Sequence, residues 1–445
     1  MKLHARRCQD KRSQALNLDL FCSDIKKFIS FSEFRRTFMR ISHHLCRIAL
    51  FVGTTMLMHP ASAQQPIKIG VINPFSGPLA LYGGEMTRGF ELAVDQANVG
   101  GGLLSRKIEL VRGDASNPQQ GIATVEQLVT RDKVDIFTGT YISAVSNSAS
   151  DAASRYNKLY WETGGVARDL TERGLPNFIR SGAYAISFAA RSVDTVRDLI
   201  APALKKDMKD LRVWIEHEDS IYGSSIAEAQ KRMLEAFGTK IVGIGSHSFR
   251  SIDLNDTVLR AKRANPDILI QTGYVPDGNL LFRTAREQGF KPATMLWVGT
   301  GDTAETLESV GAASLEGVLV VGWPRIDVAE SYGPGATAFL SAYRAKYKSD
   351  PIAPQSMAGY VGLQILFDTI KAAGSIDVEK VRAAALKMDT PEGSYATGFG
   401  VRFDKNFQNL RAAPNTAQWQ SGKMVTVFPK QAVLPGVTLK SLARN

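Results

Sequence analysis

The stretch IKIGVINPFSGPLALYGGEMTRGFELA, residues 67–93, runs from a β-rich apolar segment (67–72) through a turn shaped by Pro74, Gly77 and Pro78 into a helix read from about Gly84 to Asn98. Within that helix Met86, Phe90, Ala93, Val94 and Ala97 recur at the spacing of one buried face. A strand that enters a helix through a glycine-rich turn can cradle a phosphate, and it can equally form the lip of a pocket at the end of a parallel sheet. Neither G-x-x-x-x-G-K-[ST] nor G-x-G-x-x-G is present, and no lysine stands where a phosphate would be held. The glycines of VGGGLL, 99–104, lie between a helix and a strand and read as a helix-ending turn. What remains of the opening stretch is a strand end, a helix N-terminus whose free N–H groups suit a carboxylate, and Tyr82 as a pocket lip or as an aromatic capping the helix.

Outward from this unit the same alternation continues. Strands are read at 107–114, 134–141 and 158–164, with helices at 119–131 and 143–156 between them. After FIRSG, 178–182, a second series follows: strands at 212–218, 240–246, 267–273, 294–299 and 316–322, and helices at 184–201, 222–237, 253–264 and 277–288. Long helices near 335–347, 356–373 and 377–388 close the pattern. Strands alternating with helices in this order predict an α/β fold of two doubly wound parallel-sheet lobes, with a ligand pocket where the strand ends of the two lobes face one another.

The formal charge of +11 is concentrated at the start of the chain. Residues 1–63 hold 11 Lys/Arg and 4 Asp/Glu, which leaves 43 basic and 39 acidic groups on the other 382 residues. With no block of like charge there, a nucleic-acid partner is not expected. Residues 39–63 have a basic start (Arg40, Arg47), an apolar centre from Ile48 to Met58 and a small-x-small end, Ala61-Ser62-Ala63. They read as a signal peptide cleaved before Gln64, with an apolar centre too short for a permanent membrane anchor. Residues 1–38 then read as an upstream extension ahead of a start at Met39, the alternative being an extended signal. The expected location is the periplasm.

The chemistry available after cleavage is sparse. Cys8, Cys22 and Cys46 all fall in the leader, so the mature chain offers no disulfide, thiol nucleophile or thiolate metal site. Only His217 and His247 remain, without a chelating spacing, and no G-x-S-x-G elbow accompanies them. No enzymatic activity, metal or cofactor is expected.

The residues 67–129, FTGTYISAVSNSAS (137–150), DSIYGSSIAEA (219–229) and DILIQTGYVPDGNLLFRTAREQGF (267–290) together resemble the periplasmic substrate-binding proteins of branched-chain amino acid-type ABC transporters, which have the type I binding-protein fold. The resemblance implies a monomeric, non-membrane-spanning binder of a small-molecule solute that docks on an inner-membrane ABC permease. It implies an N-terminal lobe of 64–184 plus 322–395 and a C-terminal lobe of 185–321 plus 396–445, with chain crossings near 184, 322 and 396. Ser143 matches the serine that holds a ligand carboxylate, and it also reads as a helix N-cap. Tyr82, Tyr222 and Tyr274 match aromatic positions that wall the ligand, Thr163 and Gly164 fall in the loop after the fourth strand, and Trp161 is a further candidate wall.

Two positions depart from the family pattern. Val166 stands where amino-acid binders have a threonine, and Gly299 stands where they have an acid for the ligand's ammonium, leaving Asp302 as a possible substitute. A buried ammonium without partners is costly, so the expected ligand is a carboxylate or amide with an apolar or aromatic body. Branched-chain amino acids proper, a ligand-sensing receptor domain and an exported enzyme are the competing readings; a receptor would carry a signalling or membrane segment beyond the VTLKSLARN terminus, 437–445.

Overall fold

The computed structural model describes residues 64–442, so the expected signal peptide, 39–63, and the expected upstream extension, 1–38, lie outside the described residues. The first sheet is fully parallel, in the order β2-β1-β3-β4-β5, from β1 (Ile67–Asn73), β2 (Ile108–Asp114), β3 (Ile136–Gly139), β4 (Leu159–Glu162) and β5 (Phe178–Arg180). Helices lie against this sheet, which is why β3, β4 and β5 are buried at every position. The helices used below are α1 (Ala80–Val99), α2 (Ser143–Arg155), α3 (Ala185–Thr195), α4 (Ile221–Ala236), α5 (Val275–Glu287), α6 (Ala336–Tyr347) and α7 (Gln355–Ala373). The last two return to the first sheet, α7 packing along α1 and Tyr343 of α6 donating its hydroxyl to Glu85 of α1 at 2.6 Å.

The second sheet runs β12-β11-β10-β9-β8-β6-β7, from β6 (Arg212–Glu218), β7 (Lys240–His247), β8 (Ile268–Thr272), β9 (Thr294–Val298), β10 (Leu319–Gly322), β11 (Asn415–Gln420) and β12 (Lys423–Phe428). Its first five strands repeat the order of the first sheet. β11 pairs antiparallel with β10 and β12 antiparallel with β11, adding a hairpin edge that the all-parallel expectation lacks. No helix of the described residues is long and apolar enough to cross a membrane.

The chain passes between the sheets three times: between Arg180 and Ala185, between Gly322 and Ala336, and between Asn409 and Asn415. Residues 396–409 were expected in the C-terminal lobe, but they stay with the first. Backbone bonds of 3.0 Å from Arg180 N to Phe407 O and from Asn409 N to Arg180 O lay this segment beside β5. The cause is the Arg180 side chain, which is fully buried. Its guanidinium donates to Gln408 Oε1, to the carbonyls of Gly165 (3.0 Å) and Ala167 (2.7 Å), and to Thr171 Oγ1 (3.3 Å). Burial pulls its pKa down to about 10, and the carbonyl partners take the place of an acid.

A second buried polar cluster braces the other lobe. His247, at the end of β7, lies between Glu216 of β6 (Nδ1 to Oε1, 2.9 Å) and Asp277 of α5 (Nε2 to Oδ2, 3.1 Å). Burial alone would push the imidazole pKa down, but the hydrogen bonds and charges of Asp277 and Glu216 outweigh it and hold the pKa up at about 9. Both nitrogens therefore donate, as an imidazolium.

Arg180→Ala removes a charged donor from four buried acceptors, of which only the Ala167 carbonyl keeps another partner, the Leu170 N–H at 3.4 Å, and should lower the stability of the first lobe by about 3 to 5 kcal/mol, measured by chemical denaturation; a loss under about 1 kcal/mol would show that water replaces the guanidinium freely. The His247 cluster gives a pH signature. The folded-state pKa lies above the ordinary value of about 6.5, so the stabilisation is complete below that pH and is lost as pH rises through about 9. The melting temperature should fall between pH 7 and pH 9.5, and His247→Gln should remove most of that fall.

Candidate functional site

In both sheets the strand order reverses at one place, between β1 and β3 in the first and between β6 and β8 in the second. At such a switch point the connections leave on opposite faces and open a crevice beyond the carboxyl ends of the strands. The four tyrosines that meet between the lobes come from these places. Tyr82 follows β1, Tyr141 follows β3, Tyr222 follows β6 and Tyr274 follows β8.

The rings form a continuous chain across the lobes. Tyr82 stacks on Tyr141 with centroids 4.6 Å apart, Tyr141 meets the edge of Tyr274 at 5.8 Å, and Tyr274 leans on Tyr222 at 5.0 Å. Phe249 closes the outer side of Tyr274 at 5.1 Å. All four tyrosines are buried, and burial drives each phenol pKa well up, so the hydroxyls are neutral. The hydroxyl of Tyr82 reaches Asp302 Oδ1 of the other lobe at 3.5 Å. That of Tyr222 is held inside its own lobe by the carbonyls of Gly273 (3.2 Å) and Val298 (3.4 Å).

Tyr82 sits differently from expectation. The helix begins at Ala80, four residues ahead of the sequence reading, so Tyr82 belongs to its first turn and Gly83 and Gly84 lie inside it. Gly83 is required there by close approach, because a Cβ would come within 2.0 Å of the Pro74 carbonyl. Gly83 thus marks a helix turn pressed against the preceding loop, where sequence reasoning saw the helix start, while a side chain at Gly84 would meet nothing.

Ser143 opens α2 but does not cap it; the cap position is Ile142. Its hydroxyl oxygen accepts from the backbone N–H of Val166 (3.1 Å) and of Ala167 (3.2 Å), in the loop after β4. With both lone pairs engaged, the hydroxyl proton is the group left to donate. The loop itself is fixed from beneath by Glu162. Its Oε1 accepts from the N–H groups of Thr140 (2.6 Å), Thr163 (2.9 Å), Gly164 (2.7 Å) and Gly165 (2.8 Å), and its Oε2 accepts from Ser146. Burial pushes this carboxyl up, its hydrogen bonds pull it back, and it stands at about 7. Every partner is a donor, so the ionised form suits the surroundings.

Of the remaining candidates, Trp161 is not a wall of the crevice. It is wholly buried in the first lobe, its Nε1 donating to the Gly362 carbonyl at 2.9 Å and its ring edge-on to Phe403. Thr163 turns its hydroxyl to the Gly139 carbonyl (3.3 Å) and toward Met86, and the space a Cβ on Gly164 would need is filled by Met86 Cε at 2.4 Å. Both positions shape the loop through packing. Val166 contributes its N–H and no hydroxyl. Gly299 has φ +70°, and a Cβ there would fall 1.9 Å from the Tyr222 hydroxyl, so the ring of Tyr222 excludes any side chain at this position. Asp302 stands three residues on, its carboxyl raised by burial and pulled back by Arg325.

Sequence reasoning passed over Tyr141, Glu162 and Arg180. Tyr141 was legible as an aromatic at the end of the third strand, two residues before Ser143. Glu162 and Arg180 end adjacent strands, Glu162 pairing with Arg180 in the β4–β5 register, and charged residues at the buried ends of apolar strands are a usable signal.

The family model described as periplasmic binding protein matches residues 66–423 of this chain. The Leu/Ile/Val-binding protein homolog 7 of Brucella suis is 37% identical over 393 residues, covering 88% of this chain and 98% of the relative. Among solved structures, a leucine-binding protein from Thermotoga maritima superposes with a TM-score of 0.70 at 23% identity, covering 81% of this chain and 98% of its own. A solute-binding protein of an ABC transporter from R. palustris, solved with 4-hydroxybenzoate, gives a TM-score of 0.68 at 22% identity, covering 81% and 95%. The extent of the family match and the full-length relatedness at over a third identity place the chain: it belongs to the periplasmic binding proteins, as a type I substrate-binding protein of the branched-chain amino acid-type ABC transporters, a family of solute binders and not of enzymes.

Proposed function

We propose that this protein captures a small carboxylate or amide with an apolar or aromatic body between its two lobes and delivers it to an inner-membrane ABC permease from the periplasm. The observation that carries the reading is Ser143. Its oxygen accepts from two backbone N–H groups, so its one proton is left free to donate to a ligand oxygen, at the first turn of α2 where the helix dipole favours negative charge. The tyrosine chain supplies flat apolar surface beside it, and Tyr82 and Tyr141 from one lobe against Tyr274 from the other make the contact sensitive to lobe closure.

The relatives divide over the ligand: one structural neighbour is a leucine-binding protein and another was solved with 4-hydroxybenzoate. Two features of this chain favour the acid without an α-ammonium. Val166 lacks the hydroxyl that a threonine would bring, and Gly299 cannot become an acid while Tyr222 holds its place. An ammonium near either position would lose hydration without a matching partner.

A thermal-shift screen across leucine, isoleucine, valine, benzoates, short aliphatic acids and their amides should give its largest stabilisation with an aromatic or aliphatic acid or amide, since a ligand bound only by the folded state raises the melting temperature. A largest shift from leucine, isoleucine or valine would overturn the ligand class. Separately, Ser143→Ala should weaken a carboxylate ligand by about 1.5 to 3 kcal/mol through loss of a charge-assisted hydrogen bond, measured by calorimetry; unchanged affinity in the folded variant would reduce Ser143 to a loop anchor.

A further inference from the structure

Asp302 also lines a half-open chamber of about 550 Å³ that the tyrosines and Ser143 do not enter. Its walls come from both lobes: Leu307, Trp419 and Met424 from the second, and the segment 350–354 with Ile352 from the stretch leading into α7 of the first. Arg325 stands on the crossing between them and holds Asp327 at 3.0 Å. The volume lies in the range of sites for small organic ligands.

Asp302 joins this chamber to the crevice. It lines the chamber, and it also faces the Tyr82 hydroxyl. The residue is only 7% exposed, yet that long contact of 3.5 Å is the only side-chain hydrogen bond it makes among the described residues. A carboxyl this deeply buried ordinarily has two or more strong donors, as Glu162 does in the same molecule. Asp302 thus has one long hydroxyl contact and the charge of Arg325, which lines the same space, but no close hydrogen-bond donor to its carboxylate.

We propose that the chamber is a second compartment of the ligand site and that the ligand is elongated. A carboxylate end lies at Ser143, an apolar or aromatic body lies along Tyr82 and the chamber wall, and an amine or other nitrogen donor at the far end meets Asp302. This rests on the carboxylate reading of Ser143 and extends it. It reassigns the charge that Gly299 cannot carry: the donor group sits away from the carboxylate carbon, so an ω-amino acid fits where an α-amino acid does not. Because the chamber has walls from both lobes, a molecule filling it contacts both and favours their closure.

The test compares paired ligands by calorimetry on the full-chain protein: 4-methylbenzoate against 4-(aminomethyl)benzoate, and hexanoate against 6-aminohexanoate. The amino-ended member of at least one pair should bind about tenfold or more tightly than its partner, as expected for a charge-assisted hydrogen bond in a buried site. Asp302→Asn, which keeps shape and removes the charge, should bring that ratio close to one. Ile352→Trp, which narrows the chamber from its half-exposed wall, should weaken the amino-ended member more than the plain acid. A ratio near one in the wild-type protein, or a ratio preserved in Asp302→Asn, overturns the compartment and leaves the carboxylate reading standing. Failure of all four acids to bind overturns both.

Discussion

The carboxylate of Glu162 organises the first half of the crevice. Four backbone N–H groups from two successive strand-to-helix loops converge on one of its oxygens, so those loops cannot move independently. From the opposite side Arg180 takes the carbonyls of Gly165 and Ala167. One charged group thus collects the donors of the loop and another collects its acceptors, and the segment 163–167 is held on both edges. Its outward N–H groups, at Val166 and Ala167, are what remain to grip Ser143. Such a clamp is effective because it is buried: the hydrogen bonds are stronger than in water, and releasing either charge would strand several partners at once.

That rigidity has a counterpart in the second lobe. Asp277 accepts from the Tyr274 N–H at 2.9 Å with one oxygen and from His247 with the other. Tyr274, the ring that touches the first lobe, is therefore tied through Asp277 to β6 and β7. The two lobes meet through aromatic faces whose backbones are each anchored by a buried acid. Between them Tyr141 meets Tyr274 ring against ring, and the polar contacts are few and long: Tyr82 to Asp302 at 3.5 Å, the Arg168 N–H to Ser225 Oγ at 3.3 Å, and the Arg168 guanidinium to Glu228 at 3.6 Å. Strong bonding inside each lobe and weak bonding between lobes is the arrangement hinge closure needs, since a ligand can then contribute a large share of the closing free energy.

The strand–helix alternation was legible because each strand is a short apolar run and each helix shows a single buried face, both local signals. The tyrosines were legible because they follow strand ends, where topology alone directs them to the crevice. What the sequence hid was pairing over long separation. The segment around Phe407–Asn409 has no strand-like pattern, and it joins the first sheet through an arginine 228 residues away. Trp161 looked like a wall by its neighbourhood to the fourth loop, but in a strand the side chains alternate, and its neighbour Glu162 faces the loops while Trp161 enters the core. The start of α1 was misplaced for a related reason: glycines usually end or begin helices, and a contact with Pro74 that only the structure shows explains Gly83 inside one.

Gly299 and Tyr222 constrain one another, and this couples the ligand class to the fold. The Tyr222 hydroxyl bridges the carbonyls that end β9 and follow β8, stitching together the two strand ends that carry Gly299 and Tyr274. An acid at 299 would displace that hydroxyl, and with it the spacing of the tyrosine chain, so a single substitution cannot restore an ammonium site without disturbing the aromatic wall. On the proposed reading, the acid that meets a ligand donor is Asp302, which lies beyond the glycine turn of 299–301 and lines the chamber. On the proposed assignment of the carboxylate end to Ser143, a molecule that satisfies both polar ends is longer than an α-amino acid, and selectivity against compact zwitterions follows from that assignment.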